Sequence, residues 1–198
     1  MELLRATILT DTINLSPEAK KATTLDISIT ERIEKMLCHT QLSREFVFRD
    51  IVEAKRDIKG FTAEQLLRKD LKIVPLPNGS TAAAPSTLFL AAEICNRFEN
   101  VDSMEALYDK FCQKYNSQLL IIIGHNHGKR DILFYYPEEQ IDSAELVKDM
   151  EKKLLKHGEI NAEVSKAPSK RCILIKQGNI TFTRKKILPI ILNSSNNA

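Results

Sequence analysis

The sequence of 198 residues contains no tryptophan, and aromatic residues make up only 6% of it. We therefore do not expect an aromatic stacking surface for single-stranded nucleic acid. Long apolar runs are missing too: the longest are Leu119 to Ile123 and Ile187 to Leu192. Both fall far short of the roughly 20 residues that a membrane-spanning helix needs. The sequence thus indicates neither a membrane protein nor a protein that binds single-stranded nucleic acid.

Cysteine is scarce as well, with four residues at positions 38, 95, 112 and 172 and no CxxC pair. This usage is typical of reduced thiols rather than of a disulfide framework. The stretch from Met1 to Asp11 contains one arginine and no small-residue cleavage site, so we expect no signal peptide. Together these features predict a cytoplasmic protein.

Acidic residues are absent from one end of the chain. Seven of the 29 basic residues lie after Glu163, and none of the 26 acidic residues does, although the net charge of the whole chain is only +3. A basic end of this kind suits an anionic partner. A solvated basic face would carry the same charges, and charge alone does not separate the two interpretations.

The order of hydrophobic patterns predicts the class of fold. Helical periodicity dominates up to Arg68, and strands then alternate with helices. Residues 118–123 and 130–136 are typical of the two strands of a hairpin. We expect a flexible loop at 81–86 and a strand at 87–94. The sequence predicts an α/β protein in which a mixed sheet is covered by helices, preceded by a helical segment.

The segment from Gly124 to Lys129 has some features of a phosphate-binding loop. Its spacing is GxxxGK, one residue short of a P-loop, and Arg130 stands where a serine or threonine should bind magnesium. A strand is predicted after it, so no helix N-terminus is available for phosphates, and we interpret the segment as a hairpin loop. His125 and His127 could bind a metal from one face, but two imidazoles alone bind weakly.

The segment Thr183-Arg184-Lys185-Lys186 predicts three cations in the first turn of the last helix. Cations there oppose the helix macrodipole, at about 0.3–1 kcal/mol each. A bound anion would remove this cost, because backbone N–H groups and cationic side chains would converge on it. The alternative is a helix that starts later and leaves the cations in solvent.

Asp11 ends an apolar segment and lies between two threonines. A carboxylate at the end of a buried element is either an N-cap for the next element or a metal ligand. The local pattern leaves both open.

Four segments together resemble the C-terminal part of DHH-family phosphoesterases, namely the prune-like exopolyphosphatases and family II inorganic pyrophosphatases. In chain order they are Ala6 to Thr12, Ala22 to Asp26, Phe61 to Asp70, and Thr183 to Lys186 followed by Pro189. The first resembles the family's AILxDT stretch and the last its SRKK…P motif. Four segments in family order over nearly the whole chain are far more specific than any one of them.

The resemblance implies roles for particular residues. Asp11 matches an aspartate that binds the family's catalytic metal pair, magnesium or manganese. Arg184 and Lys185 match an arginine and a lysine that hold the substrate phosphates. Residues 1–40 would then be the remnant of the DHH catalytic domain, and residues 41–198 the DHH-associated phosphate-binding domain.

Two departures from the family pattern limit what the resemblance implies. The chain has no Asp-His-His triplet, so Asp11 would share metals bound mostly by an absent domain, and the chain alone would be inactive. The family also carries a phosphate-binding lysine four residues before the aspartate that matches Asp57. Here Glu53 stands at that position, and Lys55 is the candidate substitute, unless it is an ordinary solvated helix residue.

The sequence therefore predicts the phosphate-binding C-terminal portion of a prune-like phosphoanhydride hydrolase, with pyrophosphate or short polyphosphate as substrate. The alternative is a non-catalytic interaction or regulatory module, for which the resemblance implies a nucleoside diphosphate kinase as partner. Nucleic-acid binding by the basic end is a third interpretation, and a steep loss of affinity with salt would reveal it.

Overall fold

The computed structural model describes residues 1–37, 42–58, 60–139 and 142–193. The chain divides into two compact units, Met1–Gly60 and Phe61–Ala198. The predicted domain boundary between residues 40 and 41 lies outside the described residues. None of the helices in the described ranges has the length and apolar character needed to cross a bilayer.

The described residues of the first unit form three helices: α1 (Glu2–Asp11), α2 (Thr24–Met36) and α3 (Arg44–Arg56). Side chains set where two of them begin. Thr23 and Asp26 form a reciprocal capping box at the start of α2, and the Ser43 hydroxyl accepts a hydrogen bond from the Phe46 N–H at the start of α3. These caps satisfy backbone donors that have no partner within the helix.

Glu34 links the three helices of the first unit. Its carboxylate accepts a hydrogen bond from Arg5 Nε of α1 at 2.9 Å and pairs with Arg44 Nη2 of α3 at 2.6 Å. The Arg5 side chain is buried. The hydrogen bond from Arg44, together with that from Arg5, lowers the pKa of Glu34 below its ordinary value. Glu34 is thus the charged centre of this unit.

The second unit contains five helices and seven strands among its described residues. The helices are α4 (Ala63–Arg68), α5 (Ala91–Cys95), α6 (Val101–Lys114), α7 (Asp142–Lys156) and α8 (Arg184–Leu192). The strands are β1 (Ile73–Pro75), β2 (Thr81–Ala83), β3 (Ser86–Thr87), β4 (Leu119–Asn126), β5 (Lys129–Tyr135), β6 (Ala162–Ser165) and β7 (Cys172–Gln177).

The strands form one mixed sheet in the order β1-β2-β4-β5-β7-β6, and β3 pairs with β4. The pairs β2–β4 and β3–β4 are parallel, whereas the remaining pairs are antiparallel. The predicted class, an α/β protein with a mixed sheet, is confirmed. Pro75 lies in the edge strand β1, where a residue without an N–H is tolerated.

Helices cover both faces of the sheet. Helices α7 and α8 pack on one face, which we call the α8 face; its buried side chains include Ala84, Ile121, Ile123, Ile132, Ile175, Ile187 and Ile191. Helices α4, α5 and α6 pack on the opposite face, where the buried side chains include Leu67, Ile94, Tyr108, Leu120, Leu133 and Leu174. Alternating residues of β4 and β5 therefore enter different cores, as the period of two in a strand requires.

Two segments differ from their sequence-based predictions. Residues 81–86, predicted to be a flexible loop, contain the interior strand β2, and Ala82, Ala83 and Ala84 are fully buried. Alanine has low strand propensity, but its small side chain fits between close-packed layers. The predicted strand at 87–94 is also wrong: within it only Thr87 lies in a strand, β3, and residues 91–94 belong to α5, whose first N–H groups bind carboxylates.

Asp131 supplies one of these carboxylates and explains a glycine opposite it in the sheet. Its buried carboxylate accepts hydrogen bonds from the N–H groups of Ala91 and Ala92 at 2.7 and 3.0 Å. Gly124 lies opposite Asp131 in β4, and a Cβ there would be 2.4 Å from Asp131 Oδ1 and 2.5 Å from the Ala91 nitrogen. Only glycine allows β4 to lie this close to Asp131 and to the start of α5.

The segment from Gly124 to Lys129 is a hairpin, as predicted. Strands β4 and β5 pair antiparallel, with Asn126 opposite Lys129. The two residues between them, His127 and Gly128, have φ of 44° and 73°. Positive φ at both central residues is the requirement of a two-residue type I′ turn. The segment therefore has the structure of a strand connection and not of a P-loop.

Candidate anion-binding site

The last helix begins at the predicted basic segment. Thr183 occupies the N-cap position, but its side chain makes no capping hydrogen bond. Its carbonyl accepts the first helical bonds, from the N–H groups of Lys186 at 2.8 Å and Ile187 at 2.9 Å. The N–H groups of Arg184 and Lys185 precede these bonds. Such first-turn donors are suited to bind an anion.

The guanidinium of Arg184 is held in place by groups from two distant segments. Its Nη1 donates to the carbonyl oxygens of Asp70 at 2.6 Å and Ala84 at 3.0 Å, and its Nη2 donates to Asp70 Oδ1 at 2.7 Å. Its side chain is only 10% exposed. Three of its five N–H donors are used, and the other two make no bond among the described residues. Arg184 is both a structural link and a fixed donor.

The two lysines that follow Arg184 differ in their surroundings. Both are exposed. Lys186 Nζ lies 5.2 Å from the centre of the Phe182 ring, in cation–π contact. Lys185 forms no ion pair within the described part of the chain, and consecutive helical positions point about 100° apart. Lys185 is therefore the lysine of this turn that is available to a ligand.

Lys72 joins this group, and the sequence reasoning missed it. Its backbone pairs with Ala84, with Lys72 N–H to Ala84 O at 3.4 Å and Ala84 N–H to Lys72 O at 2.7 Å. Directly opposite residues of an antiparallel pair lie on the same face of a sheet, and Ala84 belongs to the α8 face. Lys72 is exposed and its backbone shares the Ala84 carbonyl with Arg184. In the sequence, the alternation of Lys72, Val74 and Leu76 is the pattern that indicates that these three side chains share one face of the sheet.

The loop that leads into α8 is fixed by side chains of the sheet. The buried Gln177 donates through Nε2 to the carbonyls of Asn179 and, at 2.8 Å, of Phe182. Asn179 Nδ2 donates to the Glu159 carbonyl at 2.9 Å. A Cβ at Gly178 would lie 2.5 Å from the Asn161 amide. These contacts hold the start of α8 in a defined position on the sheet.

Arg184, which is paired with the Asp70 carboxylate, provides fixed donors, and the exposed Lys185 and Lys72 provide further positive charge in the adjoining segments. The two first-turn N–H groups add to them. Such a set can bind an anion and stabilise negative charge on it. The chemistry that these groups support is binding and charge stabilisation.

Asp11 is the last residue of α1, in the first unit, and is exposed. The N-cap interpretation is wrong, because the next helix starts at Thr24 and is capped by Thr23. A carboxylate at a helix C-terminus opposes the macrodipole. Residues 13–15 directly after it have φ of 53°, 56° and 56°, a conformation that is strained for bulky side chains. The metal-ligand role of Asp11 stays a prediction.

Lys55 lies in α3 of the first unit and is exposed. Arg184 and Lys185 belong to the second unit. A phosphate-binding role for Lys55 therefore remains a prediction that rests on the resemblance. Lys72, which lies in the same unit as the other cations, has the stronger structural support.

The described residues do not fit a metal pair by themselves. Within ranges 1–37, 42–58, 60–139 and 142–193, no three or more His, Cys, Asp or Glu side chains are grouped so that they could hold an ion. Asp11 supplies one carboxylate. His125 and His127 are not part of any such group in those ranges.

The fold and this site define the class: a helix–sheet–helix domain with a basic helix N-terminus at one end of its sheet. Residues 49–194 match the DHHA2 domain, and the chain belongs to the DHHA2 family. It is similar to the exopolyphosphatase PRUNE1 of Homo sapiens, with 26% identity over 194 residues, and of Bos taurus, with 28% over 196 residues. Each alignment covers 96% of this chain and 41% of the relative.

The chain therefore spans about two fifths of the length of these curated relatives. Among solved structures it resembles the putative family II inorganic pyrophosphatase of Methanococcus jannaschii, with a TM-score of 0.54 and 14% identity. That likeness covers 96% of this chain and 53% of the other, and it concerns the fold. The predicted relationship to prune-like exopolyphosphatases and family II pyrophosphatases is confirmed.

Proposed function

We propose that this chain is the phosphate-binding portion of a prune-like phosphoanhydride hydrolase whose substrate is pyrophosphate or short polyphosphate. The observation that carries the proposal is the fixed guanidinium of Arg184. Asp70 and Ala84 hold it, and Arg184 itself begins α8, whose first turn also carries two N–H groups and the exposed Lys185. Curated relatives over 96% of the chain are named exopolyphosphatases, and phosphates are the anions that such sites bind.

Each cation has a distinct role in the proposed site. Arg184 donates its two remaining N–H groups to one phosphate and keeps the orientation that Asp70 imposes. Lys185 and Lys72 are on flexible stems and neutralise charge on the same anion as it develops on the phosphoryl and leaving groups. A phosphate-binding role for Lys55 rests on the resemblance alone.

Asp11 would contribute one ligand to magnesium or manganese. The remaining ligands would come from the region that the relatives have in addition, since this chain spans 41% of their length. Hydrolysis is thus proposed for the assembled protein, and phosphate binding for this portion. We also propose a cytoplasmic location, on the cysteine usage of the sequence.

Hydrolysis of pyrophosphate and tripolyphosphate with Mn²⁺ tests the proposal. The assay uses this chain alone and a chimera in which it replaces the matching region of human PRUNE1. We expect no turnover by the chain alone and turnover by the chimera, with a strong loss on Lys185→Gln and little loss on Lys186→Gln. Turnover of the isolated chain at an ordinary enzymatic rate, on the order of 1–10³ s⁻¹, would contradict the division of roles.

If the chimera hydrolyses substrate equally well before and after Lys185→Gln, the result would favour the alternative, in which this chain is a non-catalytic interaction module. In that case a nucleoside diphosphate kinase is the partner that the resemblance implies, and a pull-down with the purified kinase would be the next step.

A further inference from the structure

Arg130 lies in a row of polar side chains across the end of the sheet where α8 begins. In β4, β5 and β7 the residues His125, Arg130 and Gln177 lie opposite one another. Two residues further into the sheet, the same strands place Ile123, Ile132 and Ile175 in the core of the α8 face. Because side chains alternate along a strand, the polar row lies on that same face.

The Arg130 side chain is directed to the loop before α8. Its Nε donates to the Ile180 carbonyl at 2.8 Å, and Ile180 is three residues before the N-cap Thr183. The loop is compact, with Thr183 N–H to Thr181 O at 3.1 Å. Arg130 is therefore attached to the segment that also positions Arg184 and Lys185.

Arg130 is half-buried and has no acidic partner among the described residues. Its neighbour Asp131 lies on the other face, where it binds the start of α5. Burial lowers the pKa of Arg130, with no carboxylate acting to raise it. Apart from the bond from Nε, its four Nη hydrogens have no partner in the described ranges. A partly desolvated cation with unused donors is unfavourable unless an anion satisfies it.

We propose that Arg130 is a second anion contact of the α8 site and binds the distal phosphate of a chain of three or more phosphates. This inference rests on the proposed function. Arg130 lies on β5, two strands from the Ala84 segment that holds Arg184, which is about 10 Å across the sheet. Along the direction of β4, the position of Arg130 is also offset from that of Ala84 by about four residues, roughly 13 Å. These offsets are between backbone positions, and the Arg130 side chain reaches the Ile180 carbonyl in the loop before α8. In this proposal orthophosphate or pyrophosphate is held at Arg184 alone, and a longer chain extends to Arg130.

The test compares orthophosphate, pyrophosphate and tripolyphosphate by calorimetric titration of the full chain at constant ionic strength. We expect tripolyphosphate to bind about tenfold or more tightly than pyrophosphate, as one additional charge-assisted bidentate contact provides. Arg130→Gln should remove this difference and leave the pyrophosphate affinity within about twofold. Lys129→Gln, the same loss of charge one residue earlier on the opposite face, should preserve it.

Each contrary result has a separate meaning. An unchanged tripolyphosphate-to-pyrophosphate ratio in Arg130→Gln would overturn the distal contact. An equal loss of affinity for both would also overturn it, since it would show that Arg130 only holds the Ile180 loop. Arg130→Lys keeps the charge and should retain part of the ratio. If the parent chain binds none of the three anions, the proposed function fails, and this inference fails with it.

Discussion

The guanidinium of Arg184 lies 2.7 Å from the carboxylate of Asp70, a residue 114 positions earlier in the chain. Asp70 also accepts from the same guanidinium through its backbone carbonyl at 2.6 Å. This pair joins the end of the Phe61 to Asp70 motif to the start of the Thr183 to Lys186 motif. Two of the four segments that resemble the phosphoesterase family are therefore in direct contact in the folded protein.

Asp70→Asn should weaken pyrophosphate binding although it removes a negative charge from the neighbourhood of the anion. The loss of the ion pair frees the guanidinium to rotate, and the lost orientation outweighs the gain in positive potential. The Asp70 side chain is 58% exposed, so the effect on stability should stay below about 1 kcal/mol. Calorimetric titration together with thermal unfolding separates the two effects. Tighter binding by Asp70→Asn would show that Asp70 does not orient Arg184.

Asp11→Asn should leave the isolated chain as stable as the parent or slightly more stable, by less than about 1 kcal/mol. The carboxylate ends α1 and opposes its macrodipole. Urea unfolding monitored by circular dichroism measures this. In the chimera with human PRUNE1 the same change should abolish metal-dependent turnover. A clear destabilisation with normal turnover would assign Asp11 a structural role instead.

Gly124→Ala should destabilise the protein by about 1–3 kcal/mol, the usual range for overpacking. The added Cβ would meet Asp131 Oδ1 and the backbone at Ala91 and Phe89 within 2.6 Å. Gly158→Ala is the matched control, because its Cβ would have no heavy atom within 4 Å. Equal midpoints for the two variants in urea would contradict the described approach of β4 to α5.

Glu34→Gln should reduce stability at neutral pH by about 1 kcal/mol, as expected for a partly exposed charge network. Its pKa is lowered in the folded state by Arg44 and Arg5. Its stabilising contribution is therefore fully present above the ordinary glutamate pKa of 4.5 and is lost as the pH falls below it. Thermal unfolding between pH 7 and pH 3 should show the difference between parent and variant vanish at the acidic end. A difference that stays constant with pH would rule out the ionised carboxylate as its source.

Local patterns predicted most helices and the central hairpin. The capping box of Thr62 and Gln65 is a local signal for the start of α4, and the continuous apolar run after Gln118 indicates the buried strand β4. These signals are local in sequence, so they can be recognised without the tertiary structure. The cations at 184 and 185 were recognised for the same reason.

Features set by tertiary contacts escaped sequence reasoning. The strand β2 is made of small residues that are typical of a loop, and its place between β1 and β4 makes it buried. The short strand β6 was not predicted, because Val164 is exposed on the edge of the sheet and gives no hydrophobic alternation. Asp70 and Lys72 lie more than 100 residues before Arg184 in the sequence. Hydrophobic periodicity is a local pattern and does not indicate contacts between residues so far apart.

The comparison of Arg184→Ala with Lys186→Ala in pyrophosphate titrations tests the central claim most directly. The parent chain should bind pyrophosphate with a dissociation constant near 1 mM, about −4 kcal/mol, and binding should raise its melting temperature. Arg184→Ala should weaken binding by roughly 1.5–3 kcal/mol, the scale of a hydrogen bond to a charged group. Lys186→Ala should change it little, because its ammonium group lies over the Phe182 ring. Equal effects of the two substitutions, or binding that does not saturate, would show a diffuse basic surface and contradict the account.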